Sequence, residues 1–461
     1  MTKSKILLPA YLLLLLLTLC SIQIPFFWDS AFFSAVSVYF YDHGMNGFIA
    51  PLQNDTGGFP LFSSYLTLVW KFFGKTLAVS HLAILPFLIG VVNQFYLLAK
   101  RFLNDKTIFF AMILLFIEPV FITQSILMGY DILIVYFFLL SLNALYDKKQ
   151  ILFSIALLFL SLISIRGIML ASALLIIDLF LFKKIDRLFI RKYLPAVFIC
   201  VIWFIYHKNQ TGWFLFSPTR ENNAEQFSGA VMMLRQFVYI LWKTIDLGRI
   251  TLWILFITSA VYFLKHNKAS KTKELIAIVF IPLIALAFLM LLIKNPIGHK
   301  YFLIVFVLLN IGVCYFLEQL ESRKKSVLLF CLISISLIGG NFISYPQRYG
   351  NAWDASLKIL PYFKIETEMK VYLLKNKITD NQIGTQFPLT TKYPFSHLSD
   401  AHDQYIDIED KPINTFHYFL YSNIINTNRM SDLEKITKKW VAVKKMKYGT
   451  IELTLYQNPD F

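Results

Sequence analysis

The stretch that decides the fold is PFFWDSAFFSAVSVYFYDHG, residues 25–44. It follows an uncharged apolar run from Ile6 to Ile24, which is long enough to cross a bilayer as a helix. From Ala31 to Tyr41, apolar and aromatic residues recur at helical spacing, and this pattern predicts a helix that lies on the membrane surface. The chain therefore begins with a spanning helix and a surface helix, with Asp29 at the junction.

The composition places most of the chain in a membrane. Of 461 residues, 57% are hydrophobic and only 16% are charged, and the mean hydropathy is +0.59. Soluble domains carry roughly 25% charged residues, so a soluble core could not bury this much apolar surface. The net charge of +16 comes mostly from short basic clusters between apolar runs, as in cytoplasmic loops. This distribution argues against nucleic acid as a partner.

The apolar runs predict a polytopic α-helical membrane protein. About eleven runs approach the length that crosses the hydrocarbon. Their basic flanks, for example Lys100 with Arg101 and Lys148 with Lys149, fall on one side, which predicts a cytoplasmic N-terminus and an outer C-terminus. The predicted spans are 6–24, 78–98, 107–123, 131–146, 150–165, 167–182, 194–207, 250–265, 274–293, 301–317 and 326–343.

Two outer loops separate these spans. The first, 25–77, is predicted to carry a second surface helix from Pro60 onward, with Trp70 and Phe72 as anchors at the membrane interface. The second outer piece, 208–249, is predicted to be a loop.

The tail is the one part that looks water-soluble. Residues 439–459 alternate apolar and polar around a Tyr-Gly pair, which predicts a β-hairpin, and residues 354–376 have a helical pattern. The sequence thus predicts a membrane domain over 1–343 and a small extracytoplasmic α/β domain over 344–461.

The first loop supplies the first candidate site residues. Partial burial at the membrane edge would strengthen the basicity of the Asp29 carboxylate, although Asp29 could instead be the N-cap of a helix that starts near Ser30. Asp42 and His43 could bind a divalent metal or could simply end the helix. Asp55 is a further acidic candidate in the same loop.

Charged residues at the outer ends of later helices give the next candidates. Asp131 and Arg166 lie so close to the hydrocarbon that they should be paired or functional. They could form part of a site for an anionic ligand rich in hydroxyl groups, or they could pair with each other and join two helices. The turn that contains His299 and Lys300 places cations at headgroup level, where they attract phosphate or simply extend to the interface.

Several known chemistries lack their motifs here. The sequence has no phosphate-binding P-loop, no dinucleotide-binding glycine motif, no zinc-protease motif and no nucleophile elbow. These absences disfavour a nucleotide-driven pump and a hydrolase of the soluble type.

The chain resembles the GT-C class of integral membrane glycosyltransferases, in particular the branch with protein O-mannosyltransferases and the bacterial aminoarabinose transferase. The resemblance covers roughly residues 1–320. It rests on WDSAF (28–32), GGFPLF (57–62), PVFITQSILMGYDILIVYFFLLSLNALY (119–146), SIRGIML (164–170) and GHKYFLIVF (298–306).

The resemblance implies roles for the candidate residues. Asp29 matches the acid of the first loop that acts as general base, and Asp131 matches a second acidic position. Arg166 and the turn of His299, Lys300 and Tyr301 match positions that approach the donor phosphate. The chain departs from the pattern in two places: Ser30 follows Asp29 where relatives often have a second acid, and GFPL replaces the usual opening of the second surface helix.

The implied function is an inverting transfer of a sugar from a polyprenyl-phosphate donor to an acceptor hydroxyl, at the outer face of the bacterial cytoplasmic membrane. The acceptor could be a glycolipid, a glycan or a protein, and a divalent metal is left open as a cofactor. Two alternatives remain at this point. One is a transporter or flippase, and the other is a polymerase or ligase of lipid-linked glycans.

Overall fold

The structure is a computed structural model that describes residues 3–183, 187–214, 218, 229–265, 269–294, 296–346, 352–399, 404–425 and 430–461. The described chain is a polytopic helical membrane protein with a small sheet near its C-terminus, so the predicted fold class is confirmed. The helices are α1 (Lys3–Ser21), α2 (Asp29–His43), α3 (Leu61–Phe73), α4 (Leu77–Phe102), α5 (Asp105–Ile117), α6 (Pro119–Ile126), α7 (Asp131–Tyr146), α8 (Gln150–Ile163), α9 (Ile165–Phe182), α10 (Arg187–Thr211), α11 (Ala230–Ile245), α12 (Ile250–Lys265), α13 (Ala269–Leu292), α14 (Leu303–Glu318), α15 (Arg323–Gly340), α16 (Leu360–Lys375), α17 (Tyr393–Ser396) and α18 (Met430–Lys439). The strands are β1 (Ile383–Thr385), β2 (Ile406–Asp407), β3 (Tyr418–Ser422), β4 (Val441–Tyr448) and β5 (Ile451–Gln457).

The number of spans is lower than about eleven. By length and composition, six helices of the described chain can cross a membrane, or up to eight if each of two bent pairs forms one span. One bent pair is α5 with α6, which turn by 61° at Pro119, and α7 and α8 are shorter apolar helices of 16 and 14 residues. The apolar pattern was sufficient to locate these helices, but it could not reveal the break at Pro119.

The two helices predicted in the first loop are present as α2 and α3, and they pack against each other. Trp70, however, is not an anchor at the interface. It is fully buried, and its indole N–H donates to Ser80 Oγ at 2.8 Å. Phe72 is 79% exposed and keeps the outward position predicted for it.

The piece predicted as a second outer loop contains a helix, α11. Its buried side carries polar residues such as Gln236 and Lys243, whereas its exposed side is apolar and includes Val231. This distribution suits a helix that faces lipid. Helices α11 and α12 meet at 93° around a turn at Asp246. Residues 215–217 and 219–228 of the predicted loop lie outside the described residues.

Helix α14 lies at the centre of the membrane part. Every residue from Leu303 to Leu317 is buried, and the helix packs against α5, α12 and α13. The turn His299–Phe302 runs directly into its N-terminus. Because the turn His299–Phe302 is continuous with this buried helix, α14 fixes the position of the turn.

The C-terminal part contains a five-stranded sheet with the order β2-β1-β3-β5-β4. Strands β1, β2 and β3 pair in parallel, and β3, β5 and β4 pair in antiparallel fashion. The predicted hairpin is confirmed as β4 and β5, with Gly449 in the turn at a φ of 57°. The predicted division at 343–344 falls just after α15 and stays a prediction.

A segment of the first loop packs into the C-terminal core. The ring of Phe27 lies 5.7 Å from those of Tyr362 and Phe363, and Trp28 makes an edge contact with Phe387 at 5.0 Å. The C-terminal part therefore holds the chain immediately before Asp29.

Candidate active site

Asp29 begins helix α2, and its carboxylate faces a buried lysine. Trp28, with a φ of 57°, holds the N-cap position, so Asp29 is the first residue of the helix rather than its cap. Asp29 Oδ2 lies 2.8 Å from Lys300 Nζ. The Lys300 side chain is 4% exposed and that of Asp29 is 31% exposed. One side of the carboxylate is therefore open to solvent or to a ligand while an ammonium stabilises its charge.

A second carboxylate holds the same lysine. Asp354 Oδ2 lies 2.6 Å from Lys300 Nζ. The backbone around Asp354 is anchored to the membrane part, because Gln124 donates from Nε2 to the Asp354 carbonyl at 2.6 Å. Lys300 thus bridges an acid of the first loop and an acid of the C-terminal part.

Asp131 and Arg166 form a buried ion pair, as one of the two alternatives anticipated. The Arg166 guanidinium donates to the Asp131 carboxylate and to the Tyr130 hydroxyl. It also stacks on the Tyr301 ring, 4.1 Å from its centroid. Since Tyr301 directly follows Lys300, this group adjoins the Asp29 carboxylate, and Asp131 and Arg166 combine a structural contact with a position beside the site.

His299 faces a different carboxylate. Its Nε2 lies 2.7 Å from Asp246 Oδ2, and both side chains are buried. Asp246 Oδ1 accepts from the Tyr345 hydroxyl at 2.5 Å and from the Leu247 backbone N–H at 2.6 Å. The turn between α11 and α12 approaches α15 closely, because a Cβ on Gly248 would lie 1.9 Å from the Ser336 carbonyl oxygen.

A buried ion pair supports this turn. Arg249 donates from Nε to Glu118 Oε1 at 2.8 Å, and neither side chain is exposed. Glu118 Oε2 also accepts from the Phe121 N–H at 2.6 Å and caps α6. The pair thus joins the break between α5 and α6 to the turn between α11 and α12.

Two buried lysines complete the polar cluster. Lys243 lies on α11 and Lys358 lies in the C-terminal part. Both ammonium groups interact electrostatically with the Asp246 carboxylate. Lys358 donates to the Ile343 carbonyl at 2.6 Å. Burial lowers the pKa of Lys358 to about 8, and the positive charge of Lys243 acts in the same direction.

The remaining candidates of the first loop lie elsewhere. Asp42 and His43 are at the far end of α2, about 20 Å along the helix from Asp29. Asp42 lies 3.7 Å from Lys75 Nζ, and His43 stacks on Tyr39.

Asp55 is buried and fastens the loop to α10. Its carboxylate contacts His207 Nε2 at 2.9 Å and accepts from the Gly57 N–H at 2.8 Å. Among the residues that the structure describes, no three His, Cys, Asp or Glu side chains group as metal ligands.

Four site residues were missed in the sequence: Lys243, Asp246, Asp354 and Lys358. Lys243 and Asp246 had a local signal, since both are charged residues in a largely apolar stretch, YILWKTIDLGRITLW (239–253). Asp354 and Lys358 had none, because charged residues are ordinary in a water-soluble tail.

No family model matches the chain, and no curated protein sequence does. Two solved structures match. They are the crystal structures of ArnT from Cupriavidus metallidurans, one bound to undecaprenyl phosphate and one in the apo state.

The structure bound to undecaprenyl phosphate has a TM-score of 0.55 at 11% sequence identity, and the apo structure has a TM-score of 0.53 at 12% identity. Each match covers 98% of this chain and 98% of ArnT. The chain has the fold of ArnT. The ArnT likeness confirms the resemblance to the GT-C class and extends it beyond residue 320 into the C-terminal part. At this identity it shows the fold, so the roles of individual residues rest on their own geometry.

Proposed function

We propose that the chain is an inverting glycosyltransferase that moves a sugar from a polyprenyl-phosphate donor to an acceptor hydroxyl. The observation that carries the proposal is the Asp29 carboxylate, which is partly open and lies 2.8 Å from the buried Lys300 within an ArnT-like fold. ArnT itself has been crystallised with undecaprenyl phosphate, which supports a polyprenyl-phosphate donor for this chain.

In the proposed reaction, Asp29 acts as the general base. It accepts the proton of the acceptor hydroxyl while that oxygen forms a bond to the anomeric carbon of the donor sugar. The bond from that carbon to the phosphate oxygen breaks, and its electron pair stays on the departing lipid phosphate. A single displacement of this kind inverts the anomeric configuration. Arg166, His299, Lys300 and Tyr301 line the donor side, where positive charge and hydrogen-bond donors favour the phosphate.

The proposed setting is the outer face of the bacterial cytoplasmic membrane, with the N-terminus in the cytoplasm. Residues 344–461 would then lie outside and cover the site. In this proposal, the C-terminal part holds or admits the acceptor, which is a glycolipid, a glycan or a protein.

The test compares two carboxylates of one helix. Purified wild type, Asp29→Asn and Asp42→Asn are supplied with radiolabelled polyprenyl-phosphate sugars in host lipid extract. A general base contributes about 10²–10⁴-fold to the rate. Asp29→Asn should therefore transfer sugar about 10²–10⁴-fold more slowly than the wild type and should remain folded. Asp42→Asn makes the same chemical change at an exposed position and should transfer at the wild-type rate.

Other outcomes of this experiment would favour other functions. Equal activity of Asp29→Asn and the wild type would remove Asp29 as the base. No transfer from any donor, together with movement of lipid-linked sugar across vesicles, would favour a flippase. Products with chains of repeating units would favour a lipid-linked glycan polymerase.

A further inference from the structure

The two ends of the β4–β5 hairpin have different surroundings. At the turn, Gly449 and Thr450 border the same cavity as Phe116 of α5 and Phe342 just after α15. Trp440 stands immediately before β4, at the other end of the hairpin. A strand rises about 3.3 Å per residue, so Trp440 lies about 25–30 Å from the turn. This far end is therefore well separated from the helices of the membrane part that meet the turn.

A cavity opens at the far end of the hairpin. Its volume is about 390 Å³, within the range of small-molecule sites. The walls come from the end of α18, the residue before β4, the residues just after β5 and the turn that precedes β3, and the lining includes Asn414, Lys439, Trp440 and Asp460. None of the lining residues belongs to the candidate active site.

Hydrogen bonds hold the walls of this cavity together. Asn458 is only 2% exposed; it donates from Nδ2 to the Phe416 carbonyl at 3.1 Å and accepts at Oδ1 from the Asp460 N–H at 3.1 Å. Its backbone N–H donates to the His417 carbonyl at 2.9 Å, and the Phe461 ring stacks on His417 at 4.1 Å. A ligand would therefore meet walls that are already ordered, which lowers the entropic cost of binding.

Trp440 supplies an aromatic surface in the wall. Its side chain is partly buried against the C-terminal core, and its backbone N–H donates to the Ile436 carbonyl at 2.9 Å at the end of α18. Among the described residues, the Trp440 ring has no aromatic partner. A tryptophan combines a large flat apolar face with an N–H donor, and the C–H face of a sugar ring packs well on such a surface.

The polar residues of the lining include both donors and acceptors. Asn414, Lys439 and Asp460 are all exposed. The Lys439 ammonium only donates, the Asp460 carboxylate only accepts, and the Asn414 amide does both. The hydroxyl groups of a sugar also donate and accept, so they can bond to every one of these side chains. A lipid tail would desolvate them without compensation.

We propose that this cavity is a saccharide-binding site in which a sugar ring stacks on Trp440 and its hydroxyl groups bond to Asn414, Lys439 and Asp460. The site lies outside the candidate active site, so it gives the chain a sugar contact that takes no part in the chemistry of transfer. A glycan bound here would be held at a high effective concentration near the transferase, a consequence that rests on the proposed function.

The experiment measures saccharide binding without any sugar donor. Maltotriose, triacetylchitotriose and trigalacturonate are titrated into the purified full-length protein, and binding is followed by saturation-transfer difference NMR. The protein is held in lipid nanodiscs, because the sugar headgroup of a maltoside detergent would compete for the site. The variants are Trp440→Ala, Trp440→Phe and Asn414→Ala. Tyr448→Ala is the matched control, because Tyr448 is a 39% exposed aromatic residue at the other end of β4.

At least one of the three trisaccharides should bind the wild type saturably. Trp440→Ala should weaken that binding by about tenfold or more, as expected for a tryptophan that forms the centre of a contact. Trp440→Phe keeps an aromatic face and should stay within about threefold of the wild type. Asn414→Ala removes one exposed neutral hydrogen-bonding group and should cost about 2–10-fold. Tyr448→Ala should bind like the wild type.

The proposal would be overturned if no trisaccharide bound saturably, or if Trp440→Ala and Asn414→Ala both stayed within about twofold of the wild type. Loss of binding in Tyr448→Ala to the same degree would also overturn it. A pentaglutamate peptide is titrated in parallel, and saturable binding of this peptide instead of the sugars would assign the cavity to an acidic peptide. Failure of the proposed function looks different: the trisaccharide binds in a Trp440-dependent manner, but no sugar is transferred from any donor.

Discussion

Lys300 and Asp354 are joined by an ion pair of 2.6 Å between Nζ and Oδ2. The contact connects the turn before the central helix to the C-terminal part. Since Lys300 also holds Asp29 at 2.8 Å, the charge on Asp354 determines how strongly Lys300 binds the proposed base. Asp354 is therefore a positioning residue that acts on Asp29 through Lys300.

Asp354→Asn should lower the transfer rate by about tenfold, a change that corresponds to roughly 1.4 kcal/mol. Lys300 would then be shared with no second carboxylate, and its full attraction for Asp29 would make that carboxylate a weaker base. The pH at which activity falls to half on the acidic side should move downward, and Asp354→Glu should restore most of the rate. An unchanged pH profile together with a lower melting temperature would reduce Asp354 to a structural contact.

The buried ion pair of Glu118 and Arg249 should make a large contribution to the free energy of unfolding. Both side chains are fully buried, so Glu118→Gln leaves an uncompensated guanidinium and should cost about 3–5 kcal/mol. The double variant Glu118→Leu with Arg249→Met should be less damaging than the single change, because no charge remains buried. Thermal unfolding in detergent measures both. Glu434→Gln, in an exposed pair with Lys438, is the control and should cost no more than about 1 kcal/mol.

Asp55 should matter for the loop rather than for the reaction. Asp55→Asn weakens the contact with His207 and should lower the melting temperature and expose the loop to proteolysis. The transfer rate of the folded fraction should stay within about threefold of the wild type, well short of the loss expected for a base. A drop comparable to that of Asp29→Asn, at an unchanged melting temperature, would return Asp55 to the proposed catalytic group.

Glu366 should make stability depend on pH. Burial raises its pKa from 4.5 to about 7, and it accepts a hydrogen bond from the Tyr362 hydroxyl at 2.9 Å. The folded protein therefore holds this proton more tightly than the unfolded chain does. The contribution to stability is fully present below about pH 4.5 and is lost as the pH rises through about 7.

Glu366→Gln mimics the protonated carboxyl and should raise the melting temperature at pH 8 but not at pH 4. Glu368→Gln, on the same helix with a side chain that is 39% exposed, should show no such difference. Nearby His397 acts in the opposite direction, because burial lowers its pKa from 6.5 to about 4 and its contribution to stability is lost as the pH falls through that range. Since His397 is present in both proteins, the difference between wild type and Glu366→Gln isolates Glu366. Equal pH profiles for wild type and Glu366→Gln would contradict the assignment.

Local patterns in the sequence predicted local structure well. The aromatic stripe after Asp29 predicted α2, the alternation around Gly449 predicted the hairpin, and both are present. The ends of different helices also brought Asp29, Arg166 and the His299–Tyr301 turn into one region, as expected if all lie at the same face of the membrane. These successes depend on short-range periodicity and on the thickness of the bilayer.

Long-range pairing was beyond the sequence. Nothing near Asp354 indicates that it meets Lys300, and nothing near Arg249 indicates that it meets Glu118, because such contacts are fixed by the packing of distant helices. Helix α11 was missed for another reason. Its polar residues face inward and its apolar residues face outward, so a stretch with a mixed composition looked like an exposed loop.

The insertion of Phe27 into the C-terminal core has a consequence for biosynthesis. The N-terminal helices enter the membrane long before residues 353–363 leave the ribosome. Until then, Phe27 lacks its contacts with Tyr362 and Phe363, and Lys300 lacks Asp354. In a nascent or truncated chain, the proposed base Asp29 therefore lacks the C-terminal contacts that position it. We expect that base to become functional only when the chain is complete.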